Sequence, residues 1–169
     1  MDVFPLPPVL HNSPRSIVGE VERLGSELES RYGIVAVGYA DCGTYGALDE
    51  VCERRGWRRL PGLHCYDLYA GGAAVERLFA DQPGTYVLTD FLVRAFDRLV
   101  IAELGLDRHP ELRDDYFGHY TRMVWLAQDP DPALHALAAA AAERVGLPLT
   151  VVETGHQRLA RALESLLRC

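Results

Sequence analysis

Apolar residues along the chain follow two alternating patterns. Short β-branched or aromatic runs at 34–39, 85–89, 122–127 and 149–152 read as strands buried on both faces, and 57–60 is a weaker run of the same kind. Between them the spacing changes to three and four residues. After Ser13-Pro14, a capping residue followed by a proline in the first turn, Ile17, Val21, Leu24 and Leu28 mark one helix face as far as Tyr32-Gly33. Further helices are expected over 44–55, 67–80, 90–104, 109–119, 132–145 and 156–168. The alanine-rich stretch 136–142 has high helix propensity and reads as an ordinary packed helix. Gly71-Gly72 falls inside a helical pattern, where it would allow close packing. Strands alternating with helices of this length imply crossover connections. The expected fold is α/β: a single three-layer domain over residues 1–169, with a mainly parallel sheet of about five strands and helices on both faces.

Composition narrows the setting. Of 169 residues, 49% are hydrophobic, enough for a sizeable core. Seventeen Lys and Arg against 24 Asp and Glu give a net charge of −7, which argues against nucleic acid and anionic membrane as partners. No apolar run approaches the roughly 18–20 residues of a membrane span. Met1–Pro5 lacks the basic flank and apolar stretch of a secretory signal. Four cysteines are too few for a disulfide scaffold and point to a reducing, cytoplasmic setting. A homodimer would be ordinary for so short an α/β chain.

Parallel sheets place ligands beyond the carboxyl ends of their strands, so the loops there are where chemistry is expected. The loop after the first strand reads Asp41-Cys42-Gly43-Thr44-Tyr45-Gly46. A cysteine there is rigidly placed and precedes a helix N-terminus, whose free N–H groups favour thiolate. Gly43 would allow a close backbone approach to a ligand, and Thr44 would contact the ligand or cap the helix. The loop after the next strand reads Leu63-His64-Cys65-Tyr66, and 22 residues separate the two cysteines. Equivalent ends of neighbouring strands lie about 5 Å apart, so both sulfurs could face one point. His11, just before the first helix, reaches the same rim if an extended arm precedes that helix.

Cys42, Cys65 and either His11 or His64 form a sulfur/nitrogen set suited to zinc or iron, including an iron–sulfur cluster. Three protein ligands leave an open position, the catalytic pattern. A redox dithiol of Cys42 and Cys65, or simple packing, are the other readings of the same residues. Asp41, Tyr66 and Asp90 are expected in the wall of the site, with catalytic roles; Asp90 could be a general base or polar clamp, although capping a helix with Thr89 accounts for it better. Cys52 reads as core filling and Cys169 as a surface thiol. Asp115 and His119 stand one helical turn apart and could pair, although a solvated face accounts for them better. No phosphate-binding loop or Gly-x-Gly-x-x-Gly turn follows a strand, so no nucleotide is expected.

Five segments carry a family resemblance: Leu-Pro-Pro-Val-Leu-His-Asn at 6–12, Gly-Tyr-Ala-Asp-Cys-Gly-Thr at 38–44, Leu-Pro-Gly-Leu-His-Cys-Tyr at 60–66, Pro-Gly-Thr-Tyr-Val-Leu-Thr-Asp-Phe at 83–91, and Leu-Gly-Leu-Asp-Arg-His-Pro-Glu-Leu-Arg-Asp-Asp-Tyr-Phe-Gly at 104–118. On these the chain resembles the prokaryotic uncharacterised family catalogued as domain of unknown function 1638. The resemblance implies that the cysteines after strands, here Cys42 and Cys65, are site residues. It also implies a link to corrinoid-dependent methyltransferases and one-carbon metabolism. Longer members start with an additional strand ending in a Cys-Gly pair, so a third ligand here would fall to His11 or His64. The leading expectation is a metal-binding protein whose open position serves a small-molecule substrate in one-carbon or thiol group transfer. A non-catalytic partner or carrier-binding module of a methyltransferase system is the alternative, beside the redox dithiol.

Overall fold

The structure, a computed structural model, describes residues 2–168, and of His11 the backbone alone. A 3-10 turn at Pro8–Asn12 leads into α1 (Pro14–Glu29), followed by β1 (Ala36–Val37), α2 (Ala47–Arg55), β2 (Arg58–Arg59) and α3 (Cys65–Ala70). The chain continues through α4 (Gly72–Asp81), β3 (Thr85–Thr89) and α5 (Asp90–Phe96), which runs on as a π turn over Asp97–Ala102. A 3-10 turn at Pro110–Leu112 precedes α6 (Arg113–Phe117), then β4 (Arg122–Ala127), α7 (Pro132–Val145), β5 (Leu149–Glu153) and α8 (Gln157–Leu167). The fold is α/β, and every strand pairing is parallel.

The five strands form a pair, β1-β2, and a triplet in the order β3-β4-β5, where one sheet was expected. Contacts divide the chain into two compact units, one of the described residues up to Leu68 together with those from Leu159 onward, the other Tyr69–Arg158. In the second unit β4 is the middle strand and is buried from Met123 to Ala127, while β5, at the edge, is largely exposed. Its core joins Leu88, Phe96, Phe117, Met123 and Trp125 to Leu134 and Val145 of α7. Asp131 caps α7 by accepting from the Leu134 N–H at 2.7 Å, and Gly146 closes the helix in the left-handed conformation.

The first unit has shorter strands, for a local reason. Register pairs Ala36 with Arg58, so Ile34 would need position 56 as its partner. Gly56 is the left-handed C-cap of α2 (φ 68°), still turning out of the helix, and the 34–39 run therefore pairs only at Ala36–Val37. Its core packs Ile17 and Val21 of α1 against Val37, Leu48, Val51 and Trp57, while Leu166 of α8 packs with Ala40, Leu60 and Leu68. Gly25 is required by this packing, since a Cβ there would lie 2.2 Å from the Trp57 ring. The helix expected over 67–80 is broken. Gly71 has φ 87°, which ends α3 and starts α4 anew, so this glycine serves a turn and not helix packing.

Candidate functional site

The two cysteine loops meet because pairing continues past the ends of β1 and β2. The Asp41 N–H donates to the Gly62 carbonyl at 3.0 Å, and the Cys42 N–H to the Leu63 carbonyl at 2.8 Å. The strand register has an offset of 58 − 36 = 22 residues, which sets Cys42 opposite His64 and one residue short of Cys65. The two thiols are hydrogen-bonded to each other and are not joined as a disulfide. Both are partly buried, Cys42 against the Val37 and Ala40 clusters.

Asp41 builds the first loop. Its carboxylate accepts from the N–H groups of Gly43 (3.2 Å), Tyr45 (3.1 Å) and Gly46 (2.8 Å) and from the Thr44 hydroxyl (2.8 Å). Burial opposes ionisation of this carboxyl, but those four donors outweigh it and hold the group below its ordinary value. They also hold an unusual backbone: Cys42 (φ 49°) and Tyr45 (φ 54°) both occupy the left-handed region beside Gly43 and Gly46. A side chain in that region costs roughly 1–2 kcal/mol, and such strain gathers at functional sites. Asp67 does the same for the second loop, accepting from the Leu63 and His64 N–H groups at 2.8 and 3.1 Å.

This arrangement separates the two thiols electrostatically. The Cys65 S–H donated to Cys42 is the main stabiliser of a Cys42 thiolate. It prevails over burial, is helped by the backbone N–H groups of Cys65 and Ala40, and lowers the Cys42 pKa from 9.0 to about 7 despite the nearby Asp41 charge. Cys65 moves the opposite way, kept protonated by its bond to Cys42 and by burial. The source of the thiolate differs from the expected one. The helix after Cys42 starts only at Ala47, behind a Gly46 N-cap, and the N–H groups ahead of it go to Asp41. Thr44 is likewise not the helix cap, because its hydroxyl donates to Asp41. Neither Gly43 nor Thr44 offers a spare donor of this kind to a cofactor.

The remaining expected residues are more dispersed. His64 is exposed, its ring 6.0 Å from that of Tyr66, and Tyr66 is half-buried at the start of α3. Among the described residues no group of three or more His, Cys, Asp and Glu side chains is placed to hold a metal ion. The His11 side chain, and Cys169, lie outside the described residues. Asp90 belongs to the Tyr69–Arg158 unit, where its carboxylate accepts from Trp125 Nε1 (2.8 Å) and from the Gln128 and Asp129 N–H groups (3.0 and 2.9 Å). There it clamps the ends of β3 and β4, while Thr89 accepts from the Leu92 N–H and caps α5. Cys52 is buried in the core. Asp115 and His119 are exposed. Sequence reasoning gave no part to Asp67 or to Tyr39, which packs in the same cluster as Cys42 and feels its charge. Asp67 was within reach, since an acidic side chain in the first turn of a helix can reach back to the N–H groups at its start.

The model of the family described as "Protein of unknown function (DUF1638)" matches residues 5–163, nearly the whole chain. The chain belongs to that family. The matched span takes in both cysteine loops of the DUF1638 chain and all five strands. No curated protein and no solved structure matches it. Among the described residues, no helix of this family member is long and apolar enough to cross a membrane.

Proposed function

We propose that the chain is a dithiol protein in which Cys42 is the nucleophile and Cys65 the resolving thiol. One observation carries this reading: pairing that continues past β1 and β2 brings two free thiols together, and their contact favours Cys42 as thiolate and Cys65 as thiol. A Cys42 thiolate attacks one sulfur of a substrate disulfide, forming a mixed disulfide and expelling the other sulfur as thiolate. Cys65 then loses its proton to that leaving thiolate or to solvent and attacks Cys42. The mixed disulfide breaks, the Cys42–Cys65 bond forms, and two electrons have passed to the substrate. The three free thiols among the described residues, Cys42, Cys52 and Cys65, suit a reducing, cytoplasmic setting.

A metal-binding reading rests on the same convergence. Cys42 and Cys65 supply half of a zinc or iron coordination sphere, and the other positions would be filled by His64, His11 or a ligand from outside the chain. One-carbon metabolism with a methyltransferase-system partner, the context that family resemblance implies, would use the pair in this form or as a carrier module.

Alkylation of the purified chain as a function of pH, read by peptide mapping, separates these readings. The dithiol reading expects Cys42 to be labelled with an apparent pKa of about 7 and Cys65 only in alkali. It also expects oxidised glutathione to close a Cys42–Cys65 disulfide that dithiothreitol reopens. Equal labelling of the two thiols, or a disulfide that never forms, overturns it. Stoichiometric zinc or iron in fresh protein, lost in both Cys42→Ser and Cys65→Ser, transfers the assignment to the metal reading.

A further inference from the structure

Two cavities open in the unit that carries the thiols, and they share a wall. The first, about 550 Å³, lies between α1, the β1 segment and α8, with Val21, Leu24, Leu28 and Leu163 in its lining. The second, about 500 Å³, has Arg55, Arg58 and Arg168 at its edge. Tyr32, Ile34, Val35, Trp57, Leu166 and Leu167 line both, so the two adjoin in one groove, cationic at one end and mostly apolar at the other, where the Asp2 carboxylate is turned onto the Tyr32 hydroxyl and accepts from it at 2.6 Å. Each cavity by itself falls in the size range of small-molecule sites. Apolar side chains stand open to water along it, Ile34 at 57% and Val3 at 74% exposure.

The charges at the cationic end are not equivalent. Glu29 accepts from Trp57 Nε1 at 2.7 Å and faces Arg55 at 3.5 Å, and Arg55 is also held by Glu22 at 3.1 Å. Arg168 faces Glu164 at 3.5 Å. Arg58 has no carboxylate partner among the described residues; its Nη1 donates only to the Arg168 carbonyl. Among the described residues the groove therefore offers one guanidinium without a carboxylate partner beside a mostly apolar trough. A guanidinium matches a carboxylate in a two-point hydrogen bond, and a single free cation balances a monoanion better than a dianion.

We propose that this groove binds an amphipathic carboxylate, its apolar chain laid between α1 and α8 and its head group on Arg58. The charge complementarity at one end selects this occupant over a neutral apolar molecule. The assignment is independent of the chemistry proposed for Cys42 and Cys65.

Isothermal titration of the full chain with decanoate below its micelle concentration tests it, with decanol and inorganic phosphate as comparison probes. Saturable one-to-one binding of decanoate is expected, with decanol at least tenfold weaker and phosphate not detected. Arg58→Gln should lower decanoate affinity to the decanol level, and Ile34→Glu should weaken both, with circular dichroism of each variant unchanged. Equal affinity for decanoate and decanol, no effect of Arg58→Gln, or no saturable binding would overturn the proposal. So would a dimer in sedimentation that Ile34→Glu splits, because the groove would then be covered by a second copy. Phosphate binding as tight as decanoate would reduce it to a simple anion site and defeat it as well.

Discussion

Asp90 and Asp41 stand at the ends of parallel strands and do similar work with opposite results. Each collects backbone N–H groups on one carboxylate, Asp90 those of Gln128 and Asp129, Asp41 those of Gly43, Tyr45 and Gly46. Asp90 adds Trp125 Nε1 and so ties its loop to the most deeply buried aromatic ring of the Tyr69–Arg158 unit. Asp41 adds a threonine hydroxyl and leaves a cysteine in a strained conformation, half-buried beside a second thiol. The strands behind them differ accordingly. β3 and β4 are five and six residues long and almost wholly buried, whereas β1 and β2 have two residues each. One device thus locks a core in one unit and holds a cysteine beside a second thiol in the other, and the length of paired strand behind the loop marks the difference.

The largest effect should come from removing the ring that Asp90 anchors. Trp125→Ala leaves a large cavity between β4 and α7 and is expected to cost about 3–5 kcal/mol in urea unfolding. A loss below about 1 kcal/mol would mean that this core is far less tightly set than its burial implies.

At the thiol loop the effect should fall on reactivity. Cys65→Ala removes the S–H that stabilises the Cys42 thiolate, returning Cys42 toward its ordinary value of 9.0 from about 7. Thiolate is then scarcer at neutral pH but intrinsically more nucleophilic, so alkylation of Cys42 at pH 7 should slow by roughly five- to tenfold. Cys65→Ser keeps a donor and should restore much of the rate. A Cys65→Ala rate equal to that of the unaltered chain would show that the second sulfur does not set the first.

Stability should also depend on pH through this pair. Cys42 has a folded pKa below its unfolded one, so its contribution is absent below about pH 7, grows as pH rises, and is complete above the ordinary 9.0. Cys65 has a raised folded pKa and opposes further gain once the unfolded thiol ionises near 9.0. The urea midpoint should therefore climb from pH 7 toward about 8.5 and turn over above 9, and Cys42→Ser should flatten the climb.

The smallest expected change is a gain. Tyr45 is 96% exposed at φ 54°, so its ring contributes little packing while its Cβ is strained. Tyr45→Gly should raise stability by up to about 1 kcal/mol without altering Cys42 labelling.

Much of this was legible in the sequence because periodicity reports burial. The runs at 85–89, 122–127 and 149–152 became β3, β4 and β5 almost residue for residue, since each is apolar and pairs along its length. The run at 34–39 looked equally strand-like, yet only two of its residues pair, because its partner segment begins on the left-handed Gly56. That is a property of the neighbour and leaves no mark on the run itself. Likewise Gly71 fits a helical pattern, and its positive φ is visible only in three dimensions. The pairing of Cys42 with Cys65 followed from strand-end placement and spacing. Which thiol is favoured as thiolate did not, because the cause is the S–H of the partner in place of a helix terminus.

The 22-residue offset between β1 and β2 makes α2 and its return a ruler for the sulfur–sulfur spacing. Adding or removing one residue in that crossover would slip β2 against β1 and turn alternate side chains to the other face. The thiols could thus be parted by an edit that touches neither of them. Conversely, length in this crossover is under tighter constraint than its exposed, charged sequence (Glu50, Glu53, Arg54, Arg55) would suggest.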